Sequence, residues 1–147
     1  MTTRSSLSIL IELVAREADQ ASVRLGMAIR SEEEAGRKLA LLEHYRENYT
    51  LSFKQNMASG ISIWKYRNYQ VFLENIDRAI VSQQEIVRKT HERVLIERKA
   101  WQAIERKRMS YKALDEQAVQ RKLHKENKRE QKLTDEYAIR QHHLHKS

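Results

Sequence analysis

The chain has 147 residues, a formal net charge of +8, three glycines, no proline and no cysteine. The lack of cysteine excludes disulfide scaffolds, thiolate metal sites and thiol nucleophiles, and a chain with 33% charged and 7% aromatic residues is not expected to form a thick globular core. Because helix breakers are nearly absent and Glu, Lys, Arg and Gln are frequent, the composition predicts an elongated all-α protein.

The positive charge is concentrated in the second part of the chain. Residues 1–61 contain eight Lys/Arg and eight Asp/Glu, whereas residues 62–147 contain twenty and twelve. This asymmetry indicates an anionic partner for the second part. No apolar run approaches the roughly 18 residues needed to cross a bilayer, and the N-terminus does not resemble a signal peptide, so we expect a cytoplasmic protein.

The first predicted helix covers about residues 5–58, with Ser5 or Ser6 as its cap. Seam residues recur along it at alternating steps of four and three, as in a coiled coil, and only Glu32 and Arg46 among them are polar. A capping box at residues 31–34 could start a new helix, but the heptad phase continues through it, which favours one helix. The seam positions are Leu7, Ile11, Val14, Ala18, Ala21, Leu25, Ala28, Glu32, Ala35, Leu39, Leu42, Arg46, Tyr49 and Phe53.

A tight turn is predicted at about residues 59–62. Gly60 can adopt the positive φ that ends a helix, and Ser62 can cap the next helix. The chain would then fold back on itself, so that residue i lies roughly opposite residue 120 − i.

The second predicted helix covers about residues 63–140, and a disordered tail follows at about residues 141–147. Together the elements predict a single domain, residues 1–147, that is an elongated antiparallel two-helix coiled-coil hairpin. The second seam is less regular than the first. Its positions are Tyr69, Leu73, Ile76, Ile80, Gln83, Val87, Thr90, Val94, Glu97, Trp101, Ile104, Arg108, Tyr111, Asp115 and Ala118.

The sequence contains no motif for catalysis or cofactor binding. Its glycines are isolated, so no phosphate-binding loop exists, and neither an HExxH pair nor a nucleophile elbow occurs. A two-helix hairpin also offers no cleft that would desolvate carboxylates. We therefore expect a non-enzyme without a cofactor. The histidines at 142, 143 and 145 lack the fixed geometry of a metal site, so no metal is expected either.

Two surfaces are candidates for partner binding. Near the turn, Phe72 is surplus to the seam and lies beside Tyr45 and Tyr49, forming a partly exposed aromatic strip. The strip could bind a partner, or its rings could seal the hairpin end or pair with a second copy. Farther on, residues 117–132 carry six cations and two acids without an apolar stripe, and they extend past the first helix. They could bind a partner or form a solvated helix end.

The sequence resembles the flagellar export chaperone FliJ family over essentially its whole length. Turn position, length and aromatic placement carry the resemblance together, because no single motif is diagnostic. The similar positions are Leu39, Leu42, Tyr45, Tyr49, Met57, Gly60, Ile61, Asn68, Tyr69, Gln70, Phe72, Ala79, Ile80, Trp101, Lys132, Asp135, Glu136 and Ala138.

The resemblance implies a hairpin similar to the gamma stalk of rotary ATPases, which binds the hexameric flagellar ATPase and promotes its ring formation. It also implies binding to the export gate protein FlhA and to flagellar export chaperones, with only peripheral association with the inner membrane at the flagellar base. The gate-binding surface maps onto Leu42, Tyr45, Tyr49, Phe72, Ile76 and Ala79, with Lys38 and Gln83 beside them. For the ATPase contact, charge makes Arg121, Lys122, Lys125, Lys128 and Arg129 candidates.

Two other functions remain as alternatives. A basic coiled coil could bind nucleic acid, but here the basic stretch follows the heptads and contains Glu126 and Glu130, unlike the basic region of a zipper protein, so we expect no nucleic acid. The chain could also be a structural dimeric coiled coil, with the strip around Phe72 buried between two copies.

Overall fold

The computed structural model describes residues 5–145 and consists of two long helices. Helix α1 covers Ser6–Ser59 and helix α2 covers Ile63–His145, and the two pack against each other as an antiparallel hairpin. Residues 5–145 contain no strand. The all-α hairpin predicted from the heptads is therefore confirmed. Neither helix contains a stretch that is long and apolar enough to cross a membrane, among the residues described.

The predicted caps and turn are present. The Ser5 hydroxyl accepts a hydrogen bond from the backbone N–H of Ser8 at 3.1 Å, and the Ser62 hydroxyl accepts one from the N–H of Lys65 at 3.3 Å. Between the helices, Gly60 has a φ of 80° and donates its N–H to the Met57 carbonyl at 3.2 Å. The α1 helix continues without a break past residue 31, so the capping box there starts no new helix.

Asp19–Ala103 forms one compact unit, which contains the turn. Its buried core is asymmetric, because α1 contributes only alanines while α2 contributes larger side chains. Small side chains on one helix leave room for large ones on its partner, as knobs-into-holes packing requires. The buried residues are Ala21, Ala28 and Ala35 on α1, and Ile76, Gln83, Val94 and Glu97 on α2.

Polar seam residues in this unit pair between the helices and confirm the predicted register. In each pair the two residue numbers add up to between 118 and 123, close to the expected 120. The pairs are Arg24 Nε with Glu97 Oε2 (3.6 Å), Glu32 Oε2 with His91 Nδ1 (3.4 Å), Arg46 Nε with Asp77 Oδ1 (2.5 Å) and Gln83 Nε2 with the Ala35 carbonyl (3.0 Å). Of the polar exceptions in the first seam, Arg46 pairs with Asp77 on the opposite helix, whereas the buried Glu32 Oε2 lies 3.4 Å from His91 Nδ1 without forming a hydrogen bond.

The other compact unit combines α1 up to Ala18 with α2 from Ile104 onward. Val14 and Ala18 are buried in it, and Ile104 and Tyr111 are half-buried. Every residue from Lys112 to His145 is exposed. The apolar seam on α2 therefore ends at Tyr111, and the predicted seam positions Asp115 and Ala118 are not covered.

The end of α2 differs from the sequence prediction. The helix was expected to end near residue 140, with a disordered tail at 141–147, but residues 141–145 continue α2 and the last two residues lie outside the described part of the chain. No glycine or proline interrupts this segment, and the Gln141 side-chain amide donates to the Tyr137 hydroxyl one turn earlier at 2.9 Å.

Candidate partner-binding surfaces

A cluster of aromatic rings joins the two helices next to the turn. Tyr49 on α1 lies against Phe72 with ring centroids 4.0 Å apart and against Tyr69 at 4.9 Å. Phe53, one turn later on α1, contacts Tyr69 at 5.1 Å and Tyr66 at 5.8 Å. Aromatic pairs of this kind contribute roughly 0.5–1.5 kcal/mol beyond their buried area, so the cluster stabilises the turn end of the hairpin.

The aromatic strip combines Tyr49 and Phe72 of this cluster with Tyr45, which lies one turn earlier on α1. Phe72 remains 42% exposed although its ring stacks on Tyr49, and Tyr45 is 57% exposed. Tyr49 is half-buried beneath them. Two rings of the strip, Tyr45 and Phe72, are therefore accessible, and the Phe72 ring is held in position by its contact with Tyr49.

The remaining residues mapped to the export gate divide between surface and core. Lys38 is exposed, and Leu42 and Ala79 are half-buried beside the strip. Ile76 and Gln83, by contrast, are buried in the seam, where the Gln83 side chain donates to the Ala35 carbonyl. The expectation that Gln83 belongs to the binding surface is corrected, because its polar group already has a partner on the opposite helix. Ile76 and Gln83 can support the surface from below.

Tyr69 is part of this cluster, although its sequence position predicted only a seam residue. The Asn56 side-chain amide donates to the Tyr69 hydroxyl, and the Ser52 hydroxyl lies 3.4 Å from it. Since Tyr69 also contacts Tyr49, these bonds orient the ring that supports the strip. The signal was available, because a tyrosine in a seam needs a polar partner for its hydroxyl and the 120 − i rule brings residues near 51 opposite it.

The five cations suggested for the ATPase contact all lie on the exposed part of α2, and we call them the basic segment. No ion pair within residues 5–145 joins any of them to a carboxylate, although Glu126 and Glu130 are close in sequence. Their charges are therefore available to an acidic partner. The members are Arg121, Lys122, Lys125, Lys128 and Arg129.

Metal ligands do not converge in the described part of the chain. No group of three or more His, Cys, Asp or Glu side chains comes together in residues 5–145, and the rings of His142 and His143 lie 6.4 Å apart between centroids.

Comparison with known proteins agrees with the architecture described above. The family model described as "Flagellar FliJ protein" matches residues 3–147. Two relatives named flagellar FliJ protein, from Salmonella typhi and from Escherichia coli K12, are each 26% identical to this chain over 140 residues, which is 95% of this chain and 95% of theirs. The match thus covers both helices and the turn between them. The chain belongs to the flagellar FliJ protein family.

Proposed function

We propose that this chain is a non-enzymatic component of the flagellar protein export apparatus that links the export gate protein FlhA to the hexameric flagellar ATPase. In this proposal the aromatic strip binds the gate and the basic segment binds the ATPase and promotes its ring formation, while export chaperones are further partners. The protein would act in the cytoplasm and reach the inner membrane through the gate. Family membership supports a role in flagellar export over nucleic-acid binding.

The observation that carries the proposal is the position of Phe72. Its ring packs against Tyr49 with centroids 4.0 Å apart and planes tilted by 35°, and Tyr49 is supported in turn by Tyr69, yet Phe72 remains 42% exposed. Exposed aromatic rings that are already ordered lose little conformational entropy on binding, and such residues often dominate the binding energy of protein interfaces.

The basic segment supports the ATPase contact through charge and through exposure. Its cations have no carboxylate partner among residues 5–145, so an acidic surface would attract them. The part of α2 that carries them, residues 112–145, is exposed at every position, and a long helical segment without tertiary contacts is only marginally stable in water. A partner that encloses it would therefore also order it.

The gate contact can be tested by calorimetric titration of the full chain against the purified cytoplasmic part of FlhA. We expect Phe72→Ala and Tyr45→Ala each to weaken binding by at least about thirtyfold, since truncating an aromatic hot spot costs about 2 kcal/mol or more. Two exposed residues on α2 that lie outside the strip, Ile96→Ala and Tyr137→Ala, serve as matched controls and should leave the affinity unchanged.

Unaltered affinity in both strip variants would remove the strip from the gate contact. Sedimentation of the wild-type chain decides the alternative of a structural dimer. A stable dimer that dissociates on Phe72→Ala would mean that the strip is buried between two copies rather than presented to the gate.

The ATPase contact can be tested by measuring ATP hydrolysis and ring assembly of the flagellar ATPase with and without the chain at several salt concentrations. We expect stimulation that declines with salt and is lost in Lys122→Glu/Lys125→Glu/Arg129→Glu. The control reverses three exposed cations elsewhere, Arg30, Arg37 and Lys99, to glutamate. Equal loss in both triple variants would show a dependence on net charge alone and would contradict a localised contact.

A further inference from the structure

The turn end of the hairpin differs from the rest of the chain in its charge. From residue 48 to residue 73 the sequence contains no Asp or Glu, although the whole chain has 20 acids in 147 residues. The same stretch contains three cations and six of the ten aromatic residues. Five of these aromatic residues belong to the aromatic cluster, so the sixth, Trp64, and the absence of acids are the features that neither the seam nor the aromatic strip requires.

Apolar side chains project into solvent on both sides of Gly60. Trp64 is 72% exposed and Ile63 is 64% exposed in the first turn of α2, and Met57 is exposed in the last turn of α1. The aromatic cluster does not include them, because its contacts to α2 begin at Tyr66. Large apolar residues grouped at one exposed point usually mark a binding surface.

The three cations of this stretch lie within three residues of the apolar group in sequence. The Arg67 guanidinium lies 6.0 Å from the centroid of the Trp64 ring, in cation–π geometry, and Lys65 and Lys54 are exposed on either side of the turn. None of the three forms an ion pair with a carboxylate in residues 5–145. We call the group Lys54, Met57, Ile63, Trp64, Lys65 and Arg67 the turn tip.

We propose that the turn tip is an interfacial site that docks on the surface of an anionic lipid bilayer. Trp64, Ile63 and Met57 would enter the headgroup region, where tryptophan is favoured, and the three cations would meet lipid phosphates. A bilayer suits this surface better than a protein does, because the tip combines an exposed tryptophan with three cations and contains no acid that would repel the lipid. The contact is peripheral, in keeping with two helices that contain no membrane-crossing stretch among the described residues.

This site goes beyond the proposed function, since it uses neither the aromatic strip nor the basic segment. It gives the hairpin a direct contact with the membrane that does not require the export gate. Its test can therefore be made with lipid alone, and its failure would leave the gate and ATPase contacts unaffected.

The first measurement is tryptophan emission of the full chain with vesicles. The chain has two tryptophans, so Trp101→Phe leaves Trp64 as the only reporter, with helicity checked by circular dichroism. We expect a shift of Trp64 emission to shorter wavelength, and quenching by brominated lipid, with vesicles of phosphatidylcholine and phosphatidylglycerol at a ratio of about 7:3. Vesicles of phosphatidylcholine alone should bind far more weakly.

Sedimentation with the same anionic vesicles assigns the contact to residues. Each cation near an anionic surface strengthens binding about fivefold, so Lys54→Glu/Lys65→Glu/Arg67→Glu should lower the partition coefficient by at least about a hundredfold. Trp64→Ser should also weaken binding with the charge unchanged. The matched control, Lys122→Glu/Lys125→Glu/Arg129→Glu, removes as much charge and should preserve the Trp64 response, as should Phe72→Ala.

Three outcomes would overturn the proposal. A Trp64 emission wavelength that does not change when anionic vesicles are added would show that the tip does not enter the headgroup region. Vesicle binding that is lost in the basic-segment variant but retained in the tip variant would assign lipid attraction to the exposed part of α2. Tip variants that bind vesicles normally but lose affinity for FlhA would assign the tip to a protein partner.

Discussion

Glu97 is the charged side chain that lies deepest in the seam. It is 6% exposed, and its two oxygens face arginines, Arg93 Nη2 at 2.7 Å one turn earlier on α2 and Arg24 Nε at 3.6 Å on α1. Both arginines remain well exposed, so water stabilises them whether or not Glu97 is present. The free-energy cost of burying the Glu97 carboxylate is therefore incompletely offset by its two ion pairs.

Replacement of Glu97 by leucine should consequently raise the free energy of unfolding by about 1 kcal/mol, because an apolar seam residue removes the desolvation cost. Urea denaturation followed by circular dichroism measures the change. Glu92→Leu, on the exposed side of the same helix, is the control and should change it by less than about 0.5 kcal/mol. A fall of more than about 1 kcal/mol in Glu97→Leu would show that the two ion pairs contribute net stability.

A surface ion-pair network on α2 changes the titration of one carboxyl. Arg88 hydrogen-bonds to Glu85 at 2.5 Å and 3.0 Å and also reaches Glu92. The hydrogen bond from the Arg88 guanidinium lowers the pKa of the Glu85 carboxyl below its ordinary value of 4.5. Since the folded-state pKa is lowered, the stabilising contribution is present above pH 4.5 and is lost as the pH falls through the folded-state value.

Removal of the guanidinium should reverse this shift. In Arg88→Ala we expect the pKa of Glu85 to return to about its ordinary value of 4.5, measured by NMR titration of the side-chain carboxyl. Lys89→Ala is the control, because the charge of Lys89 has the smallest lowering effect on that pKa and its loss should alter it only slightly. An unchanged Glu85 pKa in Arg88→Ala would mean that the pair does not persist in solution.

At the scale of the elements, the hairpin depends on one backbone conformation. Gly60 adopts a φ of 80° between the end of α1 and the cap of α2, and no other described residue has a positive φ. Gly26 and Gly36 lie inside α1 with helical backbone, and a Cβ added at either would meet nothing within 4 Å. The turn conformation therefore requires a glycine at position 60, whereas the helical backbone at positions 26 and 36 does not.

Alanine substitutions should separate these roles. Gly60→Ala forces a Cβ into the left-handed region and should lower the free energy of unfolding by about 1–2 kcal/mol. Gly26→Ala should raise it by about 0.5–1 kcal/mol, because alanine is the better helix former and no neighbour opposes the methyl group. Thermal unfolding of both variants gives the comparison. Equal effects of the same sign would contradict the assignment of Gly60 as the turn residue.

At the scale of the whole molecule, the two compact units differ in how many α2 residues are buried from solvent. In Asp19–Ala103 the α2 seam is buried at four positions, whereas the described part of α2 beyond Tyr111 has none. Opening the backbone hydrogen bonds of an exposed helix costs little free energy. The free energy of local opening should therefore fall sharply along α2 beyond Tyr111.

Hydrogen exchange should show this gradient. We expect amides near Gln83 and Val94 to exchange slowly and amides of residues 115–140 to exchange with little protection, as followed by mass spectrometry of peptic peptides. Addition of the flagellar ATPase should slow exchange in the latter segment only. Uniform protection along α2 in the isolated chain would indicate a contact of that segment with a second copy.

Much of this architecture could be predicted from the sequence, because heptads, caps and the turn glycine are local signals. The position of Gly60 gave the register to within a few residues, as the Gln83 contact with the Ala35 carbonyl shows. The sequence did not decide which residues of the candidate site face solvent and which face the seam. That depends on how each helix is rotated about its axis, and a flanking position differs from a seam position by only a fraction of a helical turn. For that reason Gln83, which is buried, fits both the seam pattern and the surface stripe in the sequence, and the support of Tyr49 by Tyr69 became visible only in three dimensions.

The paired polar residues of the seam have a consequence for how this chain can change in length. One added residue rotates everything beyond it by about 100° and would turn Glu97, Gln83 and Glu32 away from their partners. Seven added residues rotate it by only about 20° from the original face. Within Asp19–Ala103, insertions can therefore be accommodated as whole heptads that are matched on both helices. A chain that gained one residue in α1 alone would lose the cross-helix pairs formed by the α1 residues that precede the insertion.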